Sequence, residues 1–288
     1  MAESVRGPSR TAVLTAVARD LYRQEPPPLI FDDALAMGLA GAEGLPLRQR
    51  LRRDLPSSHV LAFSRWVCIR SRFAEDLVEQ AVGRGVEQYV ILGAGLDSFA
   101  YRRGDLLDRL KVFEVDHPAS QSWKRDRLSE LGVKIPDSLV FAPLDFEQDT
   151  LRHGLANAGF DFGRSAVFTW IGVTMYLTLD AITVTLATLA QCLPGTQVAL
   201  SYNQPHHALD RFAVAVTSTF AGIASEMGEP FVTLFLPAEI GELLRSQRFG
   251  EIVDFGSEEA RALYFDGRAD VEIAGAQRLV VGTVISPT

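Results

Sequence analysis

The stretch Tyr89-Val90-Ile91-Leu92-Gly93-Ala94-Gly95-Leu96-Asp97-Ser98 constrains this chain more than any other. An apolar run of strand character passes straight into Gly-Ala-Gly where a helix is expected to begin. Glycine removes the side chain that would keep a ligand away from the backbone, and the first turn of an open α/β sheet receives nucleotide-type cofactors in this way. The residues after the glycines separate two kinds of ligand. A dinucleotide fingerprint asks for a third glycine at position 98, where helix and strand close around a pyrophosphate. That position is Ser98, and Asp97 stands before it. A carboxylate there opposes a pyrophosphate and favours a nucleoside that carries cationic groups.

Short apolar runs recur along the chain, and strands are expected at 88–92, 111–115, 139–142, 166–170 and 197–202. Helical stretches at 98–109, 118–131, 148–158 and 179–192 separate most of them. This alternation predicts βαβ units, hence an α/β fold with a mostly parallel sheet and helices on both faces. Upstream, 11–22 carries a helical apolar stripe that Pro26-Pro27-Pro28 stops, and 63–82 reads as an amphipathic helix closed by Gly83 and Gly85. The last third breaks the pattern. Residues 205–235 read as inserted helical material, 237–248 as a helix, and 251–255 and 278–285 as two more strands. The expected organisation is one domain over 1–288: a helical extension (1–82), a cofactor-binding core (83–203), a helical insertion or lid (204–236) and the C-terminal part of the core (237–288).

Acidic residues fall at the expected strand ends. Asp116 closes the second strand 23 positions after Gly93, about where a carboxylate meets ribose hydroxyls in βαβ cofactor folds, with Glu114 on the same strand face as the alternative. His117-Pro118 turns the chain into the next helix. Pro143 lacks an amide to donate, so the third strand belongs at a sheet edge or ends there. Asp145 and Phe146 follow and suit an adenine, the carboxylate for the exocyclic amine and the ring for stacking; capping of a helix near Glu147 is the other reading of Asp145. Tyr176, Tyr202, His206 and His207 sit where strand-end loops would line an acceptor site. His206-His207 has no carboxylate or thiol company, so no metal is expected.

Composition narrows the partners. A chain of 288 residues that is 47% hydrophobic can bury a large core, and a net charge of −8 argues against a phosphate-binding surface for nucleic acid. No apolar run approaches the roughly 20 residues that cross a bilayer, and the N-terminus lacks a secretory signal pattern, so no membrane partner and a cytoplasmic location are expected. Cys68 and Cys192 read as buried thiols. A homo-oligomer remains open.

Taken in order, Arg70-Ser71-Arg72-Phe73, the glycine turn with Asp97, Phe113-Glu114-Val115-Asp116-His117-Pro118, Leu144-Asp145 and Gly172-Val173-Thr174-Met175-Tyr176-Leu177 resemble the leucine carboxyl methyltransferase family. The likeness is greatest to its bacterial branch of S-adenosylmethionine-dependent methyltransferases, polyketide O-methyltransferases included, and spans roughly 65–203. It implies a class I methyltransferase fold, Rossmann-like, with a seven-stranded mostly parallel sheet, an N-terminal helical extension and a helical insertion after the fifth strand. It further implies S-adenosyl-L-methionine as cofactor and methyl transfer to a carboxylate or hydroxyl of a small molecule. The resemblance makes Arg70 the partner of the methionine carboxylate, Gly93, Ala94 and Gly95 the cofactor turn, Asp116 the ribose ligand, and Asp145 with Phe146 the adenine pair. Asp97, His117 and Trp170 complete the candidate cofactor set, and Tyr176 and Tyr202 are the candidate catalytic residues. Ile171 stands where family members commonly carry Glu. A non-catalytic S-adenosylmethionine-binding protein and an NAD(P)-dependent oxidoreductase are the alternative functions.

Overall fold

The computed structural model describes residues 9–144 and 150–286. Seven strands form one sheet: β1 (Gln88–Leu92), β2 (Lys111–Asp116), β3 (Leu139–Pro143), β4 (Val167–Trp170), β5 (Gln197–Asn203), β6 (Phe249–Phe255) and β7 (Gln277–Val284). Their order is β3-β2-β1-β4-β5-β7-β6, with β7 antiparallel to both neighbours and the other pairs parallel. The predicted class I methyltransferase architecture is therefore present, including the reversal of direction at the last strand. Pro143 lies at the end of β3, an edge strand, where its missing amide leaves no ladder bond unmade.

Four helices precede the sheet: α1 (Arg10–Tyr22), α2 (Ala36–Ala40), α3 (Gly44–Asp54) and α4 (Ser57–Gly83). The stripe Trp66, Ile69 and Val78 of α4 is buried, which sets this long helix against the sheet and leaves α1 to pack on it. Between the strands run α5 (Phe99–Arg102), α6 (Gly104–Leu107), α7 (Pro118–Glu130), α8 (Leu151–Asn157), α9 (Leu179–Leu189), α10 (Arg211–Glu226), α11 (Pro237–Ser246) and α12 (Ser257–Tyr264).

Two expected spans differ. The helix expected over 98–109 is two short ones, because Arg103 at φ −101° and ψ 47° leaves the helical region between them. The stretch 205–235 contains a single α-helix, α10, preceded by a 3-10 turn at His206–Ala208. After α10 the chain runs without regular structure and bonds to its surroundings through Val232, Thr233 and Phe235. The carbonyls of Met175 and Asn203 accept those amides, so 231–235 lies across the ends of β4 and β5.

Strand β1 has β2 on one side and β4 on the other, so connections leave it in opposite directions. Open sheets of this kind form a crevice at the carboxyl ends of the strands flanking that reversal. A cavity is found there.

Candidate active site

The cavity measures about 310 Å³ and is walled by the turns that follow β1, β2 and β4, together with α1, α4, α10 and the segment after α10. Gly93 and Gly95 have φ of 67° and 47°, the left-handed region that favours glycine. A Cβ on Gly93 would also stand 2.5 Å from Cγ2 of Val173. The amides of Gly93 and Ala94 donate to the Val115 carbonyl at 2.8 and 3.1 Å, and that of Gly95 donates to Oδ2 of Asp116 at 2.5 Å. The turn is thus bolted to the end of β2. What it offers a ligand is a surface without side chains rather than free amides.

Asp116 uses Oδ1 to accept from the His117 amide at 2.7 Å. A carboxylate has about four lone-pair sites, so two amide bonds leave capacity for two hydroxyls. Burial pushes this carboxyl above its ordinary value, with the Gly95 and His117 amides acting against the rise. Asp97 lines the same cavity and caps the start of α5, accepting from the Phe99 amide at 2.7 Å.

Arg70, on α4, is 7% exposed and lines the same cavity as Asp116. Its Nη1 donates to Oε1 of Gln277 at 2.6 Å, and Trp66 Nε1 donates to the same oxygen at 2.7 Å. Among the described residues no carboxylate lies within 4.0 Å of it, and burial lowers its pKa to about 10. A buried guanidinium without an anion is costly, and an anionic ligand group at the cavity would offset that cost. Gly172, with φ 77°, makes room for it: a Cβ there would sit 2.9 Å from Arg70 Nη2.

Tyr176 faces the cavity, its ring 5.7 Å from that of Phe231. Burial raises its phenol, while the Thr11 hydroxyl and the Arg70 guanidinium pull it back down. Phe63 and Phe220, stacked at 3.8 Å, and Met175 make this end apolar.

Several sequence expectations are corrected. Tyr202 is fully buried in the core, where its hydroxyl donates to Oδ2 of Asp254 at 2.5 Å, so it does not line the cavity. Trp170 is 3% exposed and packs inside the core beneath the strand ends. His117 is exposed and caps α7, its Nδ1 accepting from the Ala119 amide at 3.2 Å. Glu114 is closed off as a ribose ligand: it is fully buried and accepts from Lys124 Nζ at 2.7 Å. His206 and His207 are exposed and away from the cavity. Asp145 and Phe146 lie outside the described residues.

Ser98 has a definite role. Its hydroxyl donates to Oδ2 of Asp33 at 2.7 Å, and Asp33 also holds Arg19, whose Nη2 donates to the Leu96 carbonyl at 2.7 Å. Burial raises the Asp33 carboxyl, yet Arg19, Ser98 and Arg102 outweigh it and leave the group below its ordinary value. The turn is anchored through its non-glycine residue to the N-terminal extension. Nothing in the sequence pairs positions 33 and 98, so this contact was not legible beforehand. The roles of Gln277 and Phe63 were also missed, because neither belongs to a recognisable local motif, and Gly172 was read only as part of the stretch leading to Tyr176, not as room for Arg70.

The model of the leucine carboxyl methyltransferase family matches residues 12–190, which include every described cavity residue from the glycine turn, β2 and β4. The chain belongs to the leucine carboxyl methyltransferase family. It is 28% identical over 283 residues to the Bacillus subtilis protein named "Putative S-adenosyl-L-methionine-dependent methyltransferase YktD", spanning 91% of this chain and 93% of that one. A Mycobacteroides abscessus protein of the same descriptive name is 31% identical over 219 residues, covering 75% of this chain and 71% of its own length. The fold is similar to that of the CurJ carbon methyltransferase, with a TM-score of 0.54, 16% identity and coverage of 96% and 68%. As a member of this family the chain is an S-adenosylmethionine-dependent methyltransferase, which sets aside the oxidoreductase and non-catalytic alternatives. The cavity fits that cofactor: its wall holds a buried guanidinium lacking a carboxylate partner among the described residues, together with Asp97 and Asp116. Ile171 places an apolar side chain on the cavity wall.

Proposed function

We propose that this methyltransferase modifies an oxygen, carboxylate or hydroxyl, of a small acceptor with an apolar body, of which a polyketide is one class. The supporting observation is the make-up of the cavity wall, which combines the charged Arg70, Asp97 and Asp116 with the apolar and aromatic Phe63, Met175, Tyr176, Phe220 and Phe231. The family's name, leucine carboxyl methyltransferase, agrees with an oxygen acceptor. Arg70 would hold the methionine carboxylate, Asp97 would face the cationic groups, and Asp116 would take the ribose hydroxyls, with Gly93, Ala94 and Gly95 as the surface beneath. When bound, the cofactor supplies an electrophilic methyl group on a sulfonium.

The chain's own contribution is alignment and exclusion of water. The Tyr176 phenol is protonated at neutral pH, as phenols ordinarily are, and burial raises it further, so it would donate a hydrogen bond to the acceptor and orient it. No histidine lines the cavity among the described residues. An acceptor already ionised at neutral pH, a carboxylate or an acidic hydroxyl, needs no base and suits such a wall. The whole chain is read as one domain, with the helices before β1 and the stretch after β5 added to one core. Among the described residues no helix is long and apolar enough to cross a membrane. Two buried free thiols, Cys68 and Cys192, agree with a reaction in the reducing cytoplasm.

The test is incubation with methyl-labelled S-adenosylmethionine and a panel of apolar carboxylic acids, phenols and enols. Alkali releases the label as methanol from an ester and leaves an ether intact. Label found only on nitrogen or carbon overturns the reading.

A further inference from the structure

Glu229 lies three residues after the end of α10 and lines the cavity. Its carboxylate accepts from the Ser9 hydroxyl at 2.7 Å, the Arg10 amide at 2.9 Å and the Thr11 hydroxyl at 2.5 Å. Ser9 is also the N-cap of α1, its oxygen accepting from the Ala12 amide at 3.3 Å. A residue more than two hundred positions away therefore satisfies an otherwise unpaired donor of the first turn and places a negative charge at the positive end of α1.

The two segments joined in this way form facing walls. On one side, the Val232 and Thr233 amides donate to the Met175 carbonyl at 2.7 and 3.3 Å, which fixes the Glu229 segment to the turn carrying Tyr176. On the other, Thr11 and Ala12 cross the cavity, and a Cβ on Gly95 would come within 3.1 Å of Ala12 Cβ. From Val13 onward α1 is buried through Val13, Leu14, Ala16 and Val17 and packed on α4. The start of α1 bonds to the opposite wall through Glu229, which takes all three of Ser9, Arg10 and Thr11, and through Tyr176, which meets the Thr11 hydroxyl alone.

We propose that Glu229 is the latch of the cavity: by holding Ser9, Arg10 and Thr11 it closes the first turn of α1 over the cofactor turn, and its release sets the rate at which adenosyl ligands enter and leave. A latch slows passage in both directions and changes the equilibrium little, whereas a ligand contact slows departure alone.

The experiment measures association and dissociation rates of S-adenosylhomocysteine by surface plasmon resonance, with amide hydrogen exchange on the same proteins. Glu229→Ala should raise both rates by about fivefold or more while Kd moves by less than about threefold. Exchange at residues 10–13 should rise, and exchange in the middle of α4 should stay at its wild-type value, which confirms a folded variant. Glu229→Gln, which keeps an acceptor for the Arg10 amide, should recover part of the effect. The double variant Ser9→Ala, Thr11→Val should reproduce the alanine result from the other wall. Unchanged rates, unchanged exchange in the first turn, or a faster dissociation matched by an equal loss of affinity would each overturn the proposal.

Discussion

Asp116 and Gly95 are joined by a hydrogen bond of 2.5 Å, from the glycine amide to Oδ2 of the carboxylate, which ties the end of β2 to the cofactor turn after β1. One side chain thus shapes the turn and remains available, through its other lone pairs, to a ligand. Replacing Asp116 by Asn keeps an acceptor for Gly95 but loses the charge; replacing it by Ala loses both. S-adenosylmethionine affinity should fall in both variants, by about 1 to 3 kcal/mol in the alanine variant and less in the asparagine one. Calorimetric titration checks the order.

Arg70 sets function against stability. Arg70→Met should weaken S-adenosylmethionine binding by about 2 to 3 kcal/mol, the value of hydrogen bonds to a charged group. It should leave the melting temperature of the ligand-free protein unchanged or raised, because a buried cation without a carboxylate partner among the described residues is removed. A lowered melting temperature with intact binding would show that Arg70 is structural.

Gly93→Ala combines an unfavourable φ with a collision at Val173. It should destabilise the fold by about 1 to 3 kcal/mol and reduce cofactor affinity. Adding Val173→Ala should restore part of the stability, since it removes the collision and leaves the backbone strain. Urea denaturation of the single and double variants separates the two contributions.

The two tyrosines should part company. Tyr202→Phe removes a hydroxyl bonded to Asp254 in the core and should cost about 1 kcal/mol of stability with methyl transfer unaffected. Tyr176→Phe should lower methyl transfer by roughly tenfold while cofactor affinity holds, as expected for a group that orients the acceptor. Steady-state kinetics with the acceptor found by the labelling screen distinguishes them.

The buried pair Glu114 and Lys124 predicts a pH dependence. Burial raises the Glu114 carboxyl from 4.5 to about 7, against the pull of Lys124 and with the help of Asp97 and Asp116. A raised folded-state pKa means that the native protein binds more protons than the unfolded chain, so stability falls as pH rises from 4.5 to about 7. The contribution lost over that window is at most about 3 kcal/mol. Chemical denaturation between these limits should show it. The double variant Glu114→Leu, Lys124→Met should abolish it and be as stable as the wild type or more so, because replacing both charges avoids leaving one buried alone.

The sequence by itself determined the sheet, its mostly parallel pairing, the place of Pro143 at an edge and the choice of cofactor. These follow from short-range facts: apolar period, glycine at a turn, and a carboxylate at a strand end. It also singled out Arg70, Asp97, Asp116 and Tyr176, which all line the cavity. It erred on Tyr202, Trp170 and His117, where proximity to a strand end stood in for direction. Neighbours along a strand point to opposite faces, and only packing decides which face meets the cavity and which the core. Tertiary structure alone also brought Ser98 to Asp33, Gln277 to Arg70 and Glu229 to Ser9 and Thr11. Each pair is far apart in the chain, and no local pattern encodes a contact that arises only when separate elements close around one crevice.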